Sequence, residues 1–285
     1  MRISTLLLFT AGMSAFFSPA FAEYAVAHYN PRGHDEYSLS AGGFKDTYKE
    51  PIFDLNTTAN YGQASAGWTH YFSGSPVKQG FTSLEGRGSY SSGSHYKSTS
   101  GSVSGAKQYE FDVRFLTGFK FLNGNFESIS PYTGLAVRYF RDELKGSVTD
   151  LNKYGYDRRI TQLYVPLGVK YNYTTDEGIS FTPTVEGDLL LTGDVESRLG
   201  NLDGYPYVHN TQKPGSGYGL RTSFMVGFRS DENITIEAGP FIRYWHVNDS
   251  KGAKCVPSST PGYEYCYLEP KNSRTQYGAE VRLLW

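Results

Sequence analysis

Apolar and polar residues alternate along ten long stretches of this chain, and this period of two limits the possible folds more than any other feature. Residues 109–115, Tyr-Glu-Phe-Asp-Val-Arg-Phe, show it most clearly. Successive side chains of a β-strand point to opposite faces of the sheet, so each stretch predicts a strand with one apolar and one polar face. The stretches are 36–47, 60–72, 80–91, 107–121, 129–143, 158–173, 178–194, 216–230, 233–248 and 273–285. The sequence therefore predicts an all-β protein.

The connections between these stretches alternate in length. The short turns are 73–79, 122–128, 174–177 and 231–232, and the long loops are 48–59, 92–106, 144–157, 195–215 and 249–272. Short turns at one end and long loops at the other are typical of outer-membrane barrels. We therefore expect a ten-stranded antiparallel transmembrane β-barrel, or twelve strands if residues 23–35 add to the sheet. The Ser- and Gly-rich segment 89–104 is predicted to be a mobile loop.

The polar faces of the predicted strands carry nearly equal numbers of acids and bases. A soluble β-sandwich also alternates, but its solvent face needs no such balance, whereas charges confined inside a barrel need partners. Long charged side chains would fill the narrow bore of a ten-stranded barrel, which predicts a plugged lumen. A narrow, porin-like channel for small solutes is the alternative. The predicted lumen charge network comprises Glu85, Arg87, Glu110, Asp112, Arg114, Arg138, Lys170, Glu186, Asp188, Arg221, Arg243, Glu280 and Arg282.

The N-terminal residues have the pattern of a cleavable signal peptide. Met1-Arg2 is followed by an apolar stretch, residues 5–17, and by Ala20-Phe21-Ala22 at the expected cleavage site. The apolar stretch is too short for a membrane-spanning helix. We therefore assign residues 1–22 to a cleaved signal peptide and residues 23–285 to the barrel.

Overall charge and hydropathy exclude two other classes of protein. Lys and Arg number 27 against 28 Asp and Glu, a net charge of −1, and no basic stripe predicts a nucleic-acid partner. A mean hydropathy of −0.45 argues against a bundle of membrane helices.

The two cysteines, Cys255 and Cys266, lie in the last long loop. Export to an oxidising compartment favours a disulfide between them. No His or third Cys lies beside them, so we assign no metal site, and no recognisable motif predicts a cofactor.

The last stretch ends the chain on an aromatic residue. Tyr277, Val281, Leu283 and Trp285 share one face of it. This resembles the C-terminal signal by which outer-membrane proteins of Gram-negative bacteria are recognised for insertion. The resemblance implies a location in the cell outer membrane, the barrel-assembly machinery as a partner during insertion, and membrane lipids and lipopolysaccharide as surroundings.

In strand number and loop asymmetry the chain resembles omptin proteases and ten-stranded adhesin barrels. Omptin chemistry uses an Asp-x-Asp pair and an Asp/His pair at the outer rim to activate water. Glu110-x-Asp112 and Glu186-x-Asp188 are similar to the first pair, but no Asp-x-His occurs. The omptin catalytic motif is therefore not found, and we assign no catalytic residues.

Tyrosines are concentrated in the predicted long loops. Because tyrosine is enriched at recognition surfaces, these residues are candidates for contact with an extracellular ligand. We therefore favour surface recognition, adhesion or envelope maintenance as the function, with the channel second and an outer-leaflet hydrolase third. The candidates are Tyr154, Tyr156, Tyr205, Tyr207, Tyr263 and Tyr265.

Overall fold

A computed structural model describes residues 33–75, 77–123, 126–199, 208–229, 234–251, 254–257 and 264–285. The predicted signal peptide and residues 23–32 lie outside this part of the chain. Ten long strands form the wall: β1 (His34–Glu50), β2 (Leu55–Tyr71), β3 (Lys78–Ser98), β4 (Gly101–Asn123), β5 (Glu127–Glu143), β6 (Arg158–Thr174), β7 (Ile179–Ser197), β9 (Gly217–Arg229), β10 (Thr235–Val247) and β13 (Asn272–Leu284). Three short strands complete the set: β8 (Val208–Gln212), β11 (Lys254–Pro257) and β12 (Glu264–Tyr267).

The ten long strands close on themselves. Each pairs antiparallel with two neighbours, and β13 joins β1 to β10 while β7 joins β6 to β9. The cylinder therefore has no open edge along which backbone groups would lack partners. The short β8 pairs with the end of β7, and β11 and β12 form a separate hairpin. The prediction of a ten-stranded antiparallel barrel is confirmed.

The outer face of the cylinder is a band of apolar side chains. Phe111 and Phe115 are each 52% exposed, and Leu189 is 58% exposed. The stretch from Phe111 to Phe121 rises about 34 Å along β4, which a strand tilt of about 40° reduces to about 26 Å. This is the height of the apolar band that faces lipid in outer-membrane barrels. The part of the chain described contains no helix long and apolar enough to cross a bilayer.

The prediction of a long loop is wrong for two of the five connections. Residues 48–59 form the ends of β1 and β2, joined by a short 3₁₀ turn at Pro51–Phe53. Residues 92–106 continue β3 and β4 into a tight hairpin, whose Gly101 has φ +105°, so the segment 89–104 is not a loop. Above the apolar band both faces of a hairpin meet polar surroundings, so Ser and Gly replace the alternating pattern while backbone pairing continues.

The apolar band makes a test of the lipid-facing assignment possible. Phe115→Arg places a charge near the middle of the band, and we expect it to destabilise the barrel by about 2–4 kcal/mol. Thr99→Arg, at the tip of the β3–β4 hairpin, should change the unfolding free energy by less than about 1 kcal/mol. Urea unfolding in lipid vesicles measures both, and equal losses would contradict the assignment.

Candidate functional site

The inner face of the cylinder carries charged side chains that bond across the bore. All thirteen residues predicted for the lumen charge network face inward. Six side chains at mid-height, which we call the central network, are linked by ion pairs: Arg87, Glu110, Asp112, Arg138, Arg221 and Arg274.

Glu110 of β4 is the acceptor for one half of the central network. Its carboxylate is 1% exposed and lies 3.0 Å from Arg87 Nη2, 3.4 Å from Arg138 Nη2 and 3.0 Å from Arg274 Nη1. Gln276 Nε2 donates a further hydrogen bond of 2.8 Å. A carboxylate removed from water is stable only with this kind of saturation.

Arg221 of β9 organises the other half. It lies 3.0 Å from Asp112, 2.8 Å from Asp188 and 3.3 Å from Glu186. Tyr164, which is fully buried, donates its hydroxyl proton to Asp112 at 3.0 Å. One guanidinium thus joins carboxylates from β4 and β7.

These contacts cross the lumen rather than follow the sheet. Three strands separate β4 from β9 in one direction, and three separate β4 from β13 in the other. Asp112 nevertheless meets Arg221, and Glu110 meets Arg274. Arg114 of β4 also bonds Glu186 of β7, with two strands between them. Side chains from opposite walls therefore meet across the bore at mid-height.

The carboxylate pairs that are similar to the omptin motif take part in these cross-lumen contacts. Glu110 and Asp112, like Glu186 and Asp188, lie inside the barrel on arginine partners. They do not meet at the long-loop rim, where a substrate could reach them. In this position they join strands of the wall through arginines.

The remaining predicted lumen residues divide into two groups. Glu85 lies 3.4 Å from Arg114, and Arg282 lies 2.7 Å from Glu280. Arg243, in contrast, donates to the amide oxygen of Gln63 at 3.0 Å, and Lys170 forms no ion pair with a described residue.

The interior also contains charged residues that are not among those predicted from the sequence. Arg274 lies 2.6 Å from Asp46, and its Nη2 donates to Tyr61 at 3.2 Å. Both charged residues are inside the predicted strands and on their polar faces, so the alternation carried the signal. A second missed group lies where a loop returns to the barrel, and no periodic pattern marks it.

This second group, the rim cluster, consists of Tyr48, Glu50, Arg158 and Glu269. Arg158 Nη1 lies 2.6 Å from Glu50 Oε1 and 3.3 Å from Glu269 Oε1. Tyr48 donates its hydroxyl proton to Glu50, and the guanidinium lies 4.9 Å from its ring centroid. Burial raises the pKa of Glu269 to about 7, and the nearby Glu50 adds to this, while Arg158 opposes it. The cluster joins β1 and β6 to the end of the last loop.

The candidate recognition residues have different environments. Tyr154 is 70% exposed, whereas Tyr156 is half-buried and its pKa is raised to about 12 by burial. Tyr205, Tyr207 and Tyr263 lie outside the described residues. Tyr265 belongs to β12, where the register sets Cys266 opposite Cys255.

The face of β13 predicted to carry the insertion signal points outward. Tyr277, Val281, Leu283 and Trp285 are 41–51% exposed. The backbone of Trp285 exchanges two hydrogen bonds with Tyr37, at 2.8 and 3.1 Å. The terminal aromatic is therefore fixed at the seam where the last strand meets the first.

Groups with the chemistry of a nucleophile and base are sparse in the described part. His95 Nδ1 lies 2.7 Å from Ser104 Oγ on the β3–β4 hairpin, but no described acid or amide contacts the ring to orient it. No cluster of three described His, Cys, Asp or Glu side chains could hold a metal ion.

Comparison with solved structures shows the fold. The chain is similar to the outer membrane protease OmpT from Escherichia coli, with a TM-score of 0.59 and 9% identity over 90% of this chain and 97% of that one. The chain has the fold of an outer-membrane β-barrel.

Two autotransporter barrels are similar at lower scores. The transport unit of AIDA-I from Escherichia coli has a TM-score of 0.44 and 8% identity, covering 94% of this chain and 93% of that one. The translocator domain of NalP from Neisseria meningitidis has a TM-score of 0.43 and 9% identity, covering 89% and 90%. No protein-family model and no curated protein sequence matches the chain.

Removal of Arg221 from the central network should greatly lower the free energy of unfolding. Arg221→Met leaves the carboxylate of Asp188 without its ion pair and should destabilise the barrel by about 3–5 kcal/mol. Lys170→Met, which removes no ion pair with a described residue, is the matched control and should have a small effect. Urea unfolding measures both, and the double variant Arg221→Met/Asp188→Leu should recover part of the loss. Equal effects of the two single variants would contradict the network.

The rim cluster predicts a pH dependence of the last loop. The pKa of Glu269 is about 7 in the folded loop, above its ordinary value of 4.5, so the folded loop binds this proton more tightly than the unfolded one. The resulting stabilisation is fully present below pH 4.5 and is lost as the pH rises through 7. Hydrogen exchange of the Ser250 amide, which donates to Glu269, should be faster at pH 8 than at pH 5 after correction for intrinsic rates. Glu269→Gln should remove this difference; its persistence would assign the effect to another group.

Proposed function

We propose that this protein is a non-conducting barrel of the Gram-negative outer membrane that acts through its long-loop rim in surface recognition, adhesion or envelope maintenance. Export by the signal peptide at residues 1–22 and insertion guided by the terminal strand are parts of the proposal. One observation carries it: ion pairs such as Asp112–Arg221 and Glu110–Arg274 cross the lumen at mid-height. A solute path would have to break them.

The elements that rise above the apolar band support a role at the surface. The β3–β4 hairpin continues past Lys107 to its tip at Thr99 and Ser100, with polar residues on both faces. Connections 144–157, 198–216 and 248–271 end at the same rim. Tyr154 on the first of these is exposed and free to contact a partner.

The last loop is the strongest candidate for recognition. We include in the proposal a disulfide between Cys255 and Cys266, which the β11–β12 register supports. Such a bond would hold the hairpin in one conformation and so lower the entropy lost when a partner binds. The backbone hydrogen bond from Ser250 to Glu269, at 2.9 Å, anchors the base of the loop.

The proposal also includes outer-leaflet lipopolysaccharide as a surrounding partner. Arg141 and Arg159 are directly opposite each other in the β5–β6 ladder, on the outer face near the long-loop rim. Each has one acidic neighbour, Glu143 at 2.6 Å and Glu196 at 3.8 Å. Like charges directly opposite each other are unfavourable, and an anionic headgroup between them would relieve the repulsion.

Planar-bilayer recording tests the closed lumen. The refolded mature chain should show no stepwise conductance at moderate voltage. Simultaneous truncation of Arg87, Arg221 and Arg274 to Ala should produce ion-conducting openings in whatever fraction of the variant folds, because the cross-lumen bridges are gone. Steady, ion-selective openings of the unaltered chain would overturn the proposal in favour of the channel.

A loop replacement tests recognition. Residues 252–267 are exchanged for a short Gly-Ser turn, which keeps Ser250 and Glu269 in place, and the variant is expressed on a porin-deficient Gram-negative host. Adhesion to cultured cells or a matrix-coated surface should fall at least tenfold relative to the unaltered chain. Lys49→Ser on the outer wall is the matched control and should adhere normally. Unchanged adhesion after loop replacement would refute recognition by this loop.

A further inference from the structure

A cavity of about 410 Å³ occupies the half of the barrel nearest the short turns. Its inner end is formed by Tyr132, Glu186 and Arg221, where Tyr132 donates its hydroxyl proton to Glu186 at 2.8 Å. Its mouth is formed by Thr174, Gly178 and other residues at the short-turn ends of the strands. We call this cavity the short-turn vestibule. Arg87, Asp112 and Arg221 of the central network also line it.

Two lysines face into the vestibule, and neither forms an ion pair with a described residue. Lys120 lies on β4 and Lys170 on β6, and the register sets Lys170 opposite Ser130 of the intervening β5. On the other side of β5, Gly118 pairs with Tyr132 and Phe121 pairs with Ile129. This register places Lys120 opposite Ser130 as well. Strands lie about 4.8 Å apart, so the two Cα atoms are about 10 Å apart, close enough for both ammonium groups to reach one ligand.

Most acidic side chains of the vestibule form ion pairs with arginines. Glu186 and Glu85 bond Arg114, while Glu237 and Glu280 bond Arg282. The charge of Glu36, at the mouth, attracts Lys120, whereas the charge of Lys170 repels Lys120. The lining contains eight basic and six acidic side chains, an excess of two positive charges.

Neutral donors surround the two lysines. Ser128, Ser130 and Thr182 are buried in the lining, and Asn172 donates to Thr182 at 2.9 Å. Ser180 Oγ, also in the lining, is buried with no hydrogen-bond partner in the described part of the chain. Ammonium groups together with hydroxyl donors are the groups that bind an oxyanion.

We propose that the short-turn vestibule binds a small organic oxyanion, a phosphate monoester or a carboxylate, between Lys120 and Lys170. Lys120 has the ring of Tyr71 at 5.5 Å, but neither lysine has a described carboxylate at ion-pair distance. Confined cations of this kind are unfavourable, and an anion both neutralises them and accepts from the nearby hydroxyls. A volume of about 410 Å³ leaves room for an organic part beyond the anionic group and falls in the range of small-molecule sites. In the orientation of the proposed function, the mouth opens to the periplasm.

Isothermal titration calorimetry on the refolded mature chain in uncharged detergent tests the site. Glycerol 3-phosphate and succinate are the probes, and glycerol is the neutral control. We expect saturable binding of at least one anion and none of glycerol, with affinity falling as salt is added. A preference for one probe identifies the anionic group. Absence of saturable binding for both anions would overturn the proposal.

Variants distinguish anion binding at this site from non-specific electrostatic attraction. Lys120→Gln/Lys170→Gln should weaken binding at least tenfold, whereas Lys120→Arg/Lys170→Arg should retain it. Lys45→Gln/Lys107→Gln removes the same charge from the outer face and should leave the affinity unchanged. Equal loss in the two Gln pairs would refute the site. Heat-modifiable gel migration reports folding, and if the double variant does not fold, Lys170→Gln alone should still weaken binding several-fold.

The result is independent of the proposed surface function. Loss of anion binding in the Lys120/Lys170 variant should leave both adhesion and the absence of conductance unchanged. Conversely, a chain that fails the adhesion test can still bind the anion. The two proposals therefore fail separately.

Discussion

The pairing of charges across the bore is the interaction on which the rest of this structure depends. Hydrocarbon outside the wall offers no hydrogen bonds, so the apolar face of each strand must point outward and the polar face inward. Once inside, each charge needs a partner. Asp112 and Arg221, or Glu110 and Arg274, satisfy that need by joining opposite walls. The same contacts hold β4 against β9 and β13 and place ion pairs across the lumen.

The size of the barrel makes these contacts possible. Ten strands give a bore narrow enough for an arginine on one wall to reach a carboxylate on the other. Small residues make room where a bulky side chain crosses: a Cβ at Gly168 would collide with the ring of Tyr132. The interior is thereby divided into the rim cluster, the central network and the short-turn vestibule. Lys120 and Lys170 of the short-turn vestibule have no carboxylate partner in the described part of the chain.

The fold does not determine the function. A 9% identity to an outer-membrane protease carries over the architecture alone, and the paired carboxylates of this chain lie at mid-lumen on arginines. What distinguishes this barrel is therefore at its two ends. The long-loop rim presents polar hairpins and an exposed Tyr154, while the opposite end opens onto Lys120 and Lys170. The ion pairs at mid-height lie between these two ends.

The sequence by itself determined the strand number, the antiparallel order and which side chains face lipid, because alternation around Phe111 or Leu189 follows directly from the pleat of a strand. It also placed Glu110, Asp112 and Arg221 in the interior. It failed at residues 92–106, since strands that leave the membrane lose the apolar signal while keeping their backbone pairing. Only the tertiary structure decided that Arg221 meets Asp112 and Asp188 and that Glu269 contacts Arg158. It also decided that Lys170 forms no ion pair with a described carboxylate. Such partners depend on the closure and stagger of the cylinder, which bring distant strands together and which no local pattern encodes.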